Sequence, residues 1–278
     1  MMRYKAGGVG NTLVGKEGIE TYAPLFSLER QAISLGLFTL LSAATGQYFL
    51  ARIDKQLSLV NQKLDDVLNF LYGENRAELL AEISFVKRSY ENFSSIMISD
   101  YQRTATIIGL QSAQKTAIKD LEFYLSDLEK ISHKPHSDFR TLCKHETEAW
   151  QALKCIEMAL QTCVISTILE IYYSENYDKT YIDYTHQSMI AYINRCNAVV
   201  ISVFMYFDAC FREYHAKPFE NVEERQRYRS LIKQTLVPYK NEADSPLRKT
   251  LDEALKAVHK ECTYYIDNSG NVYTKKEA

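Results

Sequence analysis

Apolar residues recur at alternating intervals of three and four positions along most of this chain, which is the pattern of helices that pack against other helices. The clearest run has six members, Ile53, Leu57, Val60, Leu64, Val67 and Leu71. Charged and polar side chains fill most of the positions between them. This run predicts a helix that buries one side against a partner and keeps its other side in water.

Further runs with the same spacing predict more helices, which lie within residues 79–97, 110–131, 139–173 and 187–214. The third of these is apolar on nearly every side between Met158 and Leu169, so we expect it at the centre of the fold. Its expected main partner is 187–214. Asp100 and Ser137 are suitable N-caps for two of these helices.

The two ends of the chain differ from the middle. Residues 1–26 form a glycine-rich leader, and Ser27 is a suitable N-cap for an apolar helix that follows it. A short basic helix at 225–236 is expected to stop before Pro238. The tail at 264–274 alternates apolar and polar residues around Asn-Ser-Gly, which predicts a β-hairpin. Because an isolated two-stranded hairpin is marginal, it must pack on the leader or on a second protein.

These elements predict an all-α fold, a bundle of long antiparallel coiled-coil-like helices with a small C-terminal β-hairpin. The content of ten glycines and five prolines in 278 residues is low, and few breakers permit long helices. We divide the chain into the leader at 1–26, the long-helix bundle at 27–215, and a third part at 216–278. The third part holds the short helices and the hairpin.

A stretch of 21 residues at 31–51 carries no charged side chain. As a helix with a rise of about 1.5 Å per residue, it would reach roughly the thickness of a bilayer core. Its polar residues and glycines make insertion marginal. We interpret it as a buried core helix, with a true membrane span and a conditionally inserting segment as alternatives. The side chains that would enter the core or the bilayer are Leu37, Phe38, Leu40, Leu41, Phe49 and Leu50.

Charge and cysteine content restrict the partners and the compartment. A formal net charge of −2 gives no overall attraction to nucleic acid, so a nucleic-acid partner is not expected. The six cysteines are scattered, and several lie on apolar helical faces where a reduced thiol behaves as a small apolar side chain. We therefore predict a cytoplasmic protein that associates with membranes only if 31–51 inserts.

Residues Gly10 to Lys16 have the spacing of a phosphate-binding loop, but the position that follows them does not fit. Glu17 stands where a serine or threonine hydroxyl would hold magnesium, and its carboxylate would repel phosphate. The sequence around this stretch also does not predict the strand and βαβ unit in which such a loop is found. We predict no nucleotide and no other cofactor.

Four side chains in the middle of the chain are of the types that bind zinc, or that pair as a nucleophile and a base: His133, His136, Cys143 and His145. Their spacing matches no established zinc pattern. Cys143 and His145 are two positions apart, so they would point to different sides of a helix. We predict no metal and no catalytic residue, and we keep a His/Cys site near 133–146 as an alternative.

Tyrosines are concentrated around residues 172–192. If this region is one helix, a single face carries Tyr173, Tyr177, Tyr181 and Tyr184. Tyrosine combines an apolar ring with a polar tip, which suits a protein interface. Acidic neighbours in the same stretch argue against nucleic acid. The four residues therefore predict an interaction surface, although tyrosines that cover the end of a bundle would give the same pattern.

Three functions are compatible with these patterns. The first is a non-enzymatic interaction or oligomerisation protein, because several helical faces need partners and no convincing catalytic set is present. The second is a membrane-acting helical effector or pore former that uses 31–51. The third is a metal-dependent enzyme with its site among the histidines and Cys143.

Overall fold

The computed structural model describes residues 2–3, 9–15, 18–28, 48–70, 74–214, 222–240, 245–258, 264–266 and 272–275. Side-chain packing is defined for residues 53–64, 67, 78–93, 95–214, 222–240, 245 and 247–256. The predicted segment at 31–51 therefore lies almost wholly outside the described residues. This includes Leu37, Phe38, Leu40 and Leu41, whereas Phe49 and Leu50 fall in the first turn of a helix.

Eight helices form the body of the described part of the chain. In chain order they are α1 (Tyr48–Phe70), α2 (Glu74–Glu91), α3 (Phe93–Met97), α4 (Asp100–Ser132), α5 (Phe139–Ser174), α6 (Lys179–Glu213), α7 (Val222–Lys240) and α8 (Pro246–Val258). The predicted helical body is confirmed, and the apolar faces predicted for α1, α2, α4 and α6 are largely buried.

Helix α5 lies at the centre of the body. Every residue from Met158 to Tyr173 is buried, because α1, α2, α4, α6 and α8 all contact this helix. Its buried hydroxyl groups remain hydrogen-bonded: Thr162 donates to the carbonyl of Met158, and Ser166 donates to the carbonyl of Thr162. These bonds within one turn allow polar residues to enter a core without losing hydrogen bonds. The predicted central helix is confirmed.

Some predicted helix ends are shifted. Ser99 and Asp138 are the N-caps of α4 and α5, one residue before and one residue after the predicted Asp100 and Ser137. Helix α7 does not stop before Pro238 but includes it. Pro238 lies in the last turn, where a proline removes only one backbone hydrogen bond, and the helix ends two residues later at Lys240.

The predicted C-terminal hairpin is wrong as a separate unit. Where side-chain packing is defined, the chain contains no strand. The strands at the two ends of the chain are β1 (Met2–Arg3), β2 (Val9–Gly15), β3 (Gly18–Leu28), β4 (Tyr264–Ile266) and β5 (Val272–Lys275), and they join in one sheet of order β1-β2-β3-β5-β4. All neighbouring strands in it are antiparallel.

The physical reason for this correction lies in the backbone of β5. Its Val272 pairs with Ile266 of β4 on one side and with Leu28 of β3 on the other. A lone hairpin would leave one edge of each strand without backbone partners, whereas pairing with β3 satisfies the second edge of β5. Ser27 accordingly belongs to a strand and is not a helix N-cap.

Candidate functional site

The four side chains kept as the alternative metal site, His133, His136, Cys143 and His145, do not form one cluster. The Nδ1 atoms of His136 and His145 lie 3.0 Å apart, but His133 is exposed, and its Nδ1 is 2.7 Å from the carbonyl oxygen of Glu129. Burial and then the neighbouring His145 lower the pKa of His136. Within the described part of the chain, no group of three or more His, Cys, Asp or Glu side chains could hold a metal ion.

Cys143 lies apart from the histidine pair and is not activated. Its thiol is next to the hydroxyl of Tyr228, whose ring stacks on Phe211 at 5.1 Å. Burial raises the pKa of the Cys143 thiol to about 11. A nucleophilic cysteine needs a lowered pKa, so at neutral pH this side chain is a protonated thiol that fills space.

The four predicted interaction tyrosines do not share one helical face, because α5 ends at Ser174 and α6 begins at Lys179. Tyr173 is fully buried at the end of α5, whereas Tyr184 is 71% exposed on α6. Tyr181 donates a hydrogen bond of 2.8 Å to Glu170, and the hydroxyl of Tyr177 is buried. Three of the tyrosines therefore help to close this end of the bundle, and Tyr184 alone presents most of its ring to solvent.

This end of the bundle holds an open cleft of about 470 Å³ between α2–α3 and α4, which we call the α4 cleft. Its lining residues are Phe85, Arg88, Ser89, Asn92, Ser95, Ile96, Tyr101, Gln102, Ala105 and Thr106. The floor rests on Tyr173, whose hydroxyl donates to the carbonyl of Ser89 at 2.7 Å. Its ring also packs on Phe93 with the centroids 4.6 Å apart. The predicted Tyr173 thus supports the cleft from behind.

A glycine of α4 allows Phe85, one of the lining residues, to pack closely against this helix. A Cβ atom added at Gly109 would lie 2.3 Å from Cζ of Phe85, so only glycine allows the Phe85 ring to approach α4 this closely. Arg88 lies over the same ring, 5.8 Å from its centroid, in a cation–π arrangement. A guanidinium group and an aromatic ring therefore lie together in one wall of the α4 cleft.

Apolar side chains border the cleft and extend beyond it. Tyr101, Ala105 and Ile108 follow one another on one exposed face of α4, and Ile98 precedes the helix; we call these four residues the apolar rim. Tyr101 is 85% exposed, Ile98 66% and Ile108 62%. Soluble proteins rarely leave neighbouring large apolar groups in water unless they bind something.

A loop contact holds the first turn of α4 in place beside the rim. Arg103 donates to Asp100 at 3.0 Å and to Glu175 at 3.1 Å. Glu175 ends α5 in the left-handed conformation, with φ of 53°. The ion pairs join the start of α4 to the turn between α5 and α6, so the rim is presented by a fixed helix end.

Sequence reasoning missed the cleft and its rim, although a signal was present. Tyr101 and Ile108 are apolar residues on the face opposite the buried positions of α4, such as Leu110 and Leu121. An apolar residue out of phase with the buried face of its helix is a candidate contact residue. The lining of the cleft could not be found in this way, because it comes from three helices, α2, α3 and α4, whose packing the sequence pattern does not give.

Two of the described helices are long and apolar enough to cross a membrane, whereas the 31–51 segment lies almost wholly outside the described residues. They are α5 and α6, which follow each other in the chain. The most apolar part of α5 is 89% buried inside the body, and that of α6 is 39% buried. Core helices of soluble proteins share these properties, so the observation permits a membrane role without requiring one.

Comparison with known proteins gives no family for this chain: no family model, no curated protein and no solved structure matches it.

Proposed function

We propose that this chain is a non-enzymatic, cytoplasmic interaction protein that self-associates through the α4 cleft and its apolar rim. The observation that carries the proposal is the 85% exposure of Tyr101, a large side chain that lines the cleft and stands at its edge. Tyrosines of this kind are common binding hot spots, because they bury a large ring at a small cost in conformational entropy.

The site suits a second copy of the same chain. In a two-fold symmetric contact, each copy presents the same surface, so the Tyr101 of one copy can enter the cleft of the other. The cleft offers the cation–π position of Arg88 and polar groups on Asn92 and Ser95 for an incoming tyrosine ring and hydroxyl.

The proposal is tested by the concentration dependence of molar mass, measured by sedimentation equilibrium and light scattering. We expect wild-type protein to associate, and the double variant Tyr101→Ser and Ile108→Ser to weaken association by about tenfold or more. Phe123→Ser is the matched control, because Phe123 is also 61% exposed on α4 but is not part of the rim or cleft.

A monomeric wild type at every concentration would contradict the self-association. An equal effect of Phe123→Ser would show that α4 associates without using the cleft. Association that survives the double variant would place the contact elsewhere on the molecule.

A second candidate function, action on membranes, is favoured by one specific observation. Helices α5 and α6 are consecutive, each is long enough to span a bilayer, and α5 is enclosed by amphipathic helices. A hairpin of two apolar helices inside an amphipathic shell can in principle leave the shell and insert into lipid. Glu146 and Glu170, both buried on α5, would oppose this step because charged carboxylates are costly in a bilayer.

The only tryptophan of the chain, Trp150, lies on α5 and reports on this second function directly. Phosphatidylcholine vesicles, with and without anionic lipid, would be added to the protein, with brominated lipids as quenchers of tryptophan fluorescence. Insertion predicts quenching of Trp150 together with dye release. Unchanged fluorescence and no release with both kinds of vesicle would exclude this function for α5.

A further inference from the structure

Two histidines meet through one ring nitrogen each, at the end of α4 that lies away from the α4 cleft. His136 lies between α4 and α5, and His145 lies in the second turn of α5. Their Nδ1 atoms are 3.0 Å apart, and their ring centroids are 5.1 Å apart. At this distance one Nδ1 must carry a hydrogen and the other a lone pair, because two N–H groups do not hydrogen-bond to each other. At least one of the two imidazole rings is therefore neutral.

The ring of His136 is held in place by α6. Its centroid is 6.0 Å from that of Tyr206 and 5.9 Å from that of Phe207, so the ring packs on α6 as well as on His145. The Nε2 of His136 is buried, so a solute cannot reach this nitrogen. Neither histidine is buried as a whole. Nδ1 is therefore the nitrogen through which His136 can bind a solute.

The separation of the two Nδ1 atoms fits two neighbouring ligands of one metal ion. Imidazole nitrogens bind transition metals at about 2.0–2.1 Å, and with such bonds two nitrogens 3.0 Å apart form an angle of about 95° at the metal. Neighbouring ligands in a square-planar complex form an angle of about 90°, and this geometry is typical of Cu²⁺ and Ni²⁺. Two ligands of a tetrahedral zinc ion would lie about 3.3 Å apart.

The donors nearest to the pair are engaged elsewhere. Glu148 lies one turn after His145, but its carboxylate pairs with Lys134 at 2.7 Å and with Lys144 at 3.9 Å. His133 is exposed, and its Nδ1 is 2.7 Å from a backbone carbonyl oxygen of α4. The pair therefore offers two nitrogens and no free carboxylate, which favours a transition metal over Mg²⁺ or Ca²⁺.

We propose that His136 and His145 form a two-histidine chelate for a divalent transition-metal ion of the Cu²⁺ and Ni²⁺ type. Each Nδ1 gives its lone pair to the ion, and water fills the remaining positions. The hydrogen that lies between the two nitrogens moves to the Nε2 of its own ring, so both rings are neutral in the complex and the hydrogen bond is replaced by two metal bonds. Among divalent ions, Cu²⁺ binds such nitrogen ligands most strongly.

Metal titrations of the full-length wild-type chain without an affinity tag test the chelate. Calorimetry with Ni²⁺ alone is the first measurement, because thiols do not reduce this ion. We expect one Ni²⁺ per chain, with Zn²⁺ bound about tenfold more weakly and Mg²⁺ not bound. Electron paramagnetic resonance of the protein with one equivalent of Cu²⁺ should show two imidazole nitrogens in the plane of the ion.

Variants test the place of binding. His136→Phe keeps an aromatic ring against α6, and His145→Gln keeps a polar side chain on α5. Each is expected to weaken Ni²⁺ binding by about tenfold or more, because a single imidazole cannot chelate. His133→Phe is the matched control, because it removes a histidine three residues before His136 that does not contact the pair. It should leave Ni²⁺ binding unchanged.

Three results would overturn the proposal. The wild type could bind Ni²⁺ no more tightly than the variant that lacks both His136 and His145. An equal loss of binding in His133→Phe would place the metal outside the pair. A resonance spectrum with only one imidazole nitrogen would show that the two rings do not chelate. Because the titrations and the spectrum use unaltered protein, the proposal remains testable even if a variant fails to fold.

Discussion

The last turns of α5 and its middle bury polar side chains to a similar depth but provide them with different partners. At the end of the helix, Tyr172 donates to the carbonyl of Ala254 at 2.9 Å, and Tyr173 donates to that of Ser89. In the middle, the Gln161 Oε1 has no partner among the described residues.

Glu146, nearer the start of α5, differs again from the last turns. It is almost completely buried and has only Trp150 as a hydrogen-bond partner that the structure identifies. Burial raises the pKa of this carboxyl to about 7. The end of α5 is therefore a structural anchor, because its buried hydroxyls are hydrogen-bonded to neighbouring helices. Its first half holds a carboxyl that can gain or lose a proton, and its middle holds an amide oxygen without a partner among the described residues.

The strongest test of the anchor is removal of Tyr173. We expect Tyr173→Ala to lower the free energy of unfolding by about 3–5 kcal/mol, because a large buried ring and its hydrogen bond are both lost. Tyr173→Phe should lose only about 1 kcal/mol, the value of the hydrogen bond. Urea denaturation measures both.

Tyr184→Ala is the control for this region, since Tyr184 is mostly exposed at the same end of the bundle. This substitution should change the free energy of unfolding by no more than about 0.5 kcal/mol. If Tyr173→Ala lowered the free energy of unfolding no more than Tyr184→Ala does, the end of α5 would not anchor α2 and the floor of the cleft.

The next largest effect concerns Glu146 and depends on pH. Because its pKa rises from 4.5 in the unfolded chain to about 7 in the folded protein, the folded state favours the protonated form. Its contribution to stability is full below pH 4.5 and is lost as the pH rises through 7. Glu146→Gln keeps an acceptor for Trp150 but cannot ionise. We expect the free energy of unfolding of this variant to exceed that of the wild type by about 3 kcal/mol at pH 8 and to equal it at pH 4.

Urea denaturation at the two pH values measures this difference. Glu129→Gln is the matched control, because Glu129 is also a helical glutamate but lies exposed on α4. A difference between Glu146→Gln and wild type that is the same at pH 4 and pH 8 would mean that Glu146 does not titrate between them.

The sequence predicted the buried middle of α5 but not the hydrogen bonding of the polar side chains around it. The burial of Met158–Leu169 follows from its local sequence, since all of its side chains except Gln161 are apolar or carry hydroxyls that bond within one turn. The unused amides of Gln161 and Asn197 could not be predicted, because their environment depends on how α5 and α6 face α1 and α7. Periodicity assigns a residue to a face but does not say which polar groups meet there.

Two local features were also misjudged. The tyrosines would share one face only if their region were one helix, but Glu175 adopts a left-handed conformation and Asp178 caps a new helix. The tail was predicted as a hairpin that packs on the leader or on a second protein, and the pairing of β5 with β3 was not predicted because it joins segments far apart in sequence. Such pairing leaves little signal in either segment alone.

A smaller effect is expected at Asn197 on α6. Asn197→Leu removes a buried donor that lacks a partner among the described residues, so the variant should gain about 1 kcal/mol in the free energy of unfolding. A loss of stability in thermal and urea unfolding would mean that Asn197 has a structural partner, and the contrast with the end of α5 would fail.

The smallest effect on stability is expected at the apolar rim, where the effect on association is expected to be large. Tyr101→Ser changes a side chain that is 85% exposed, so the free energy of unfolding of the monomer should change by no more than about 0.5 kcal/mol. Thermal unfolding at low protein concentration measures this value without a contribution from association. A loss of several kcal/mol would show that Tyr101 packs within its own chain. It would then belong, like Tyr173, to the structural anchor and not to a surface that binds a second copy.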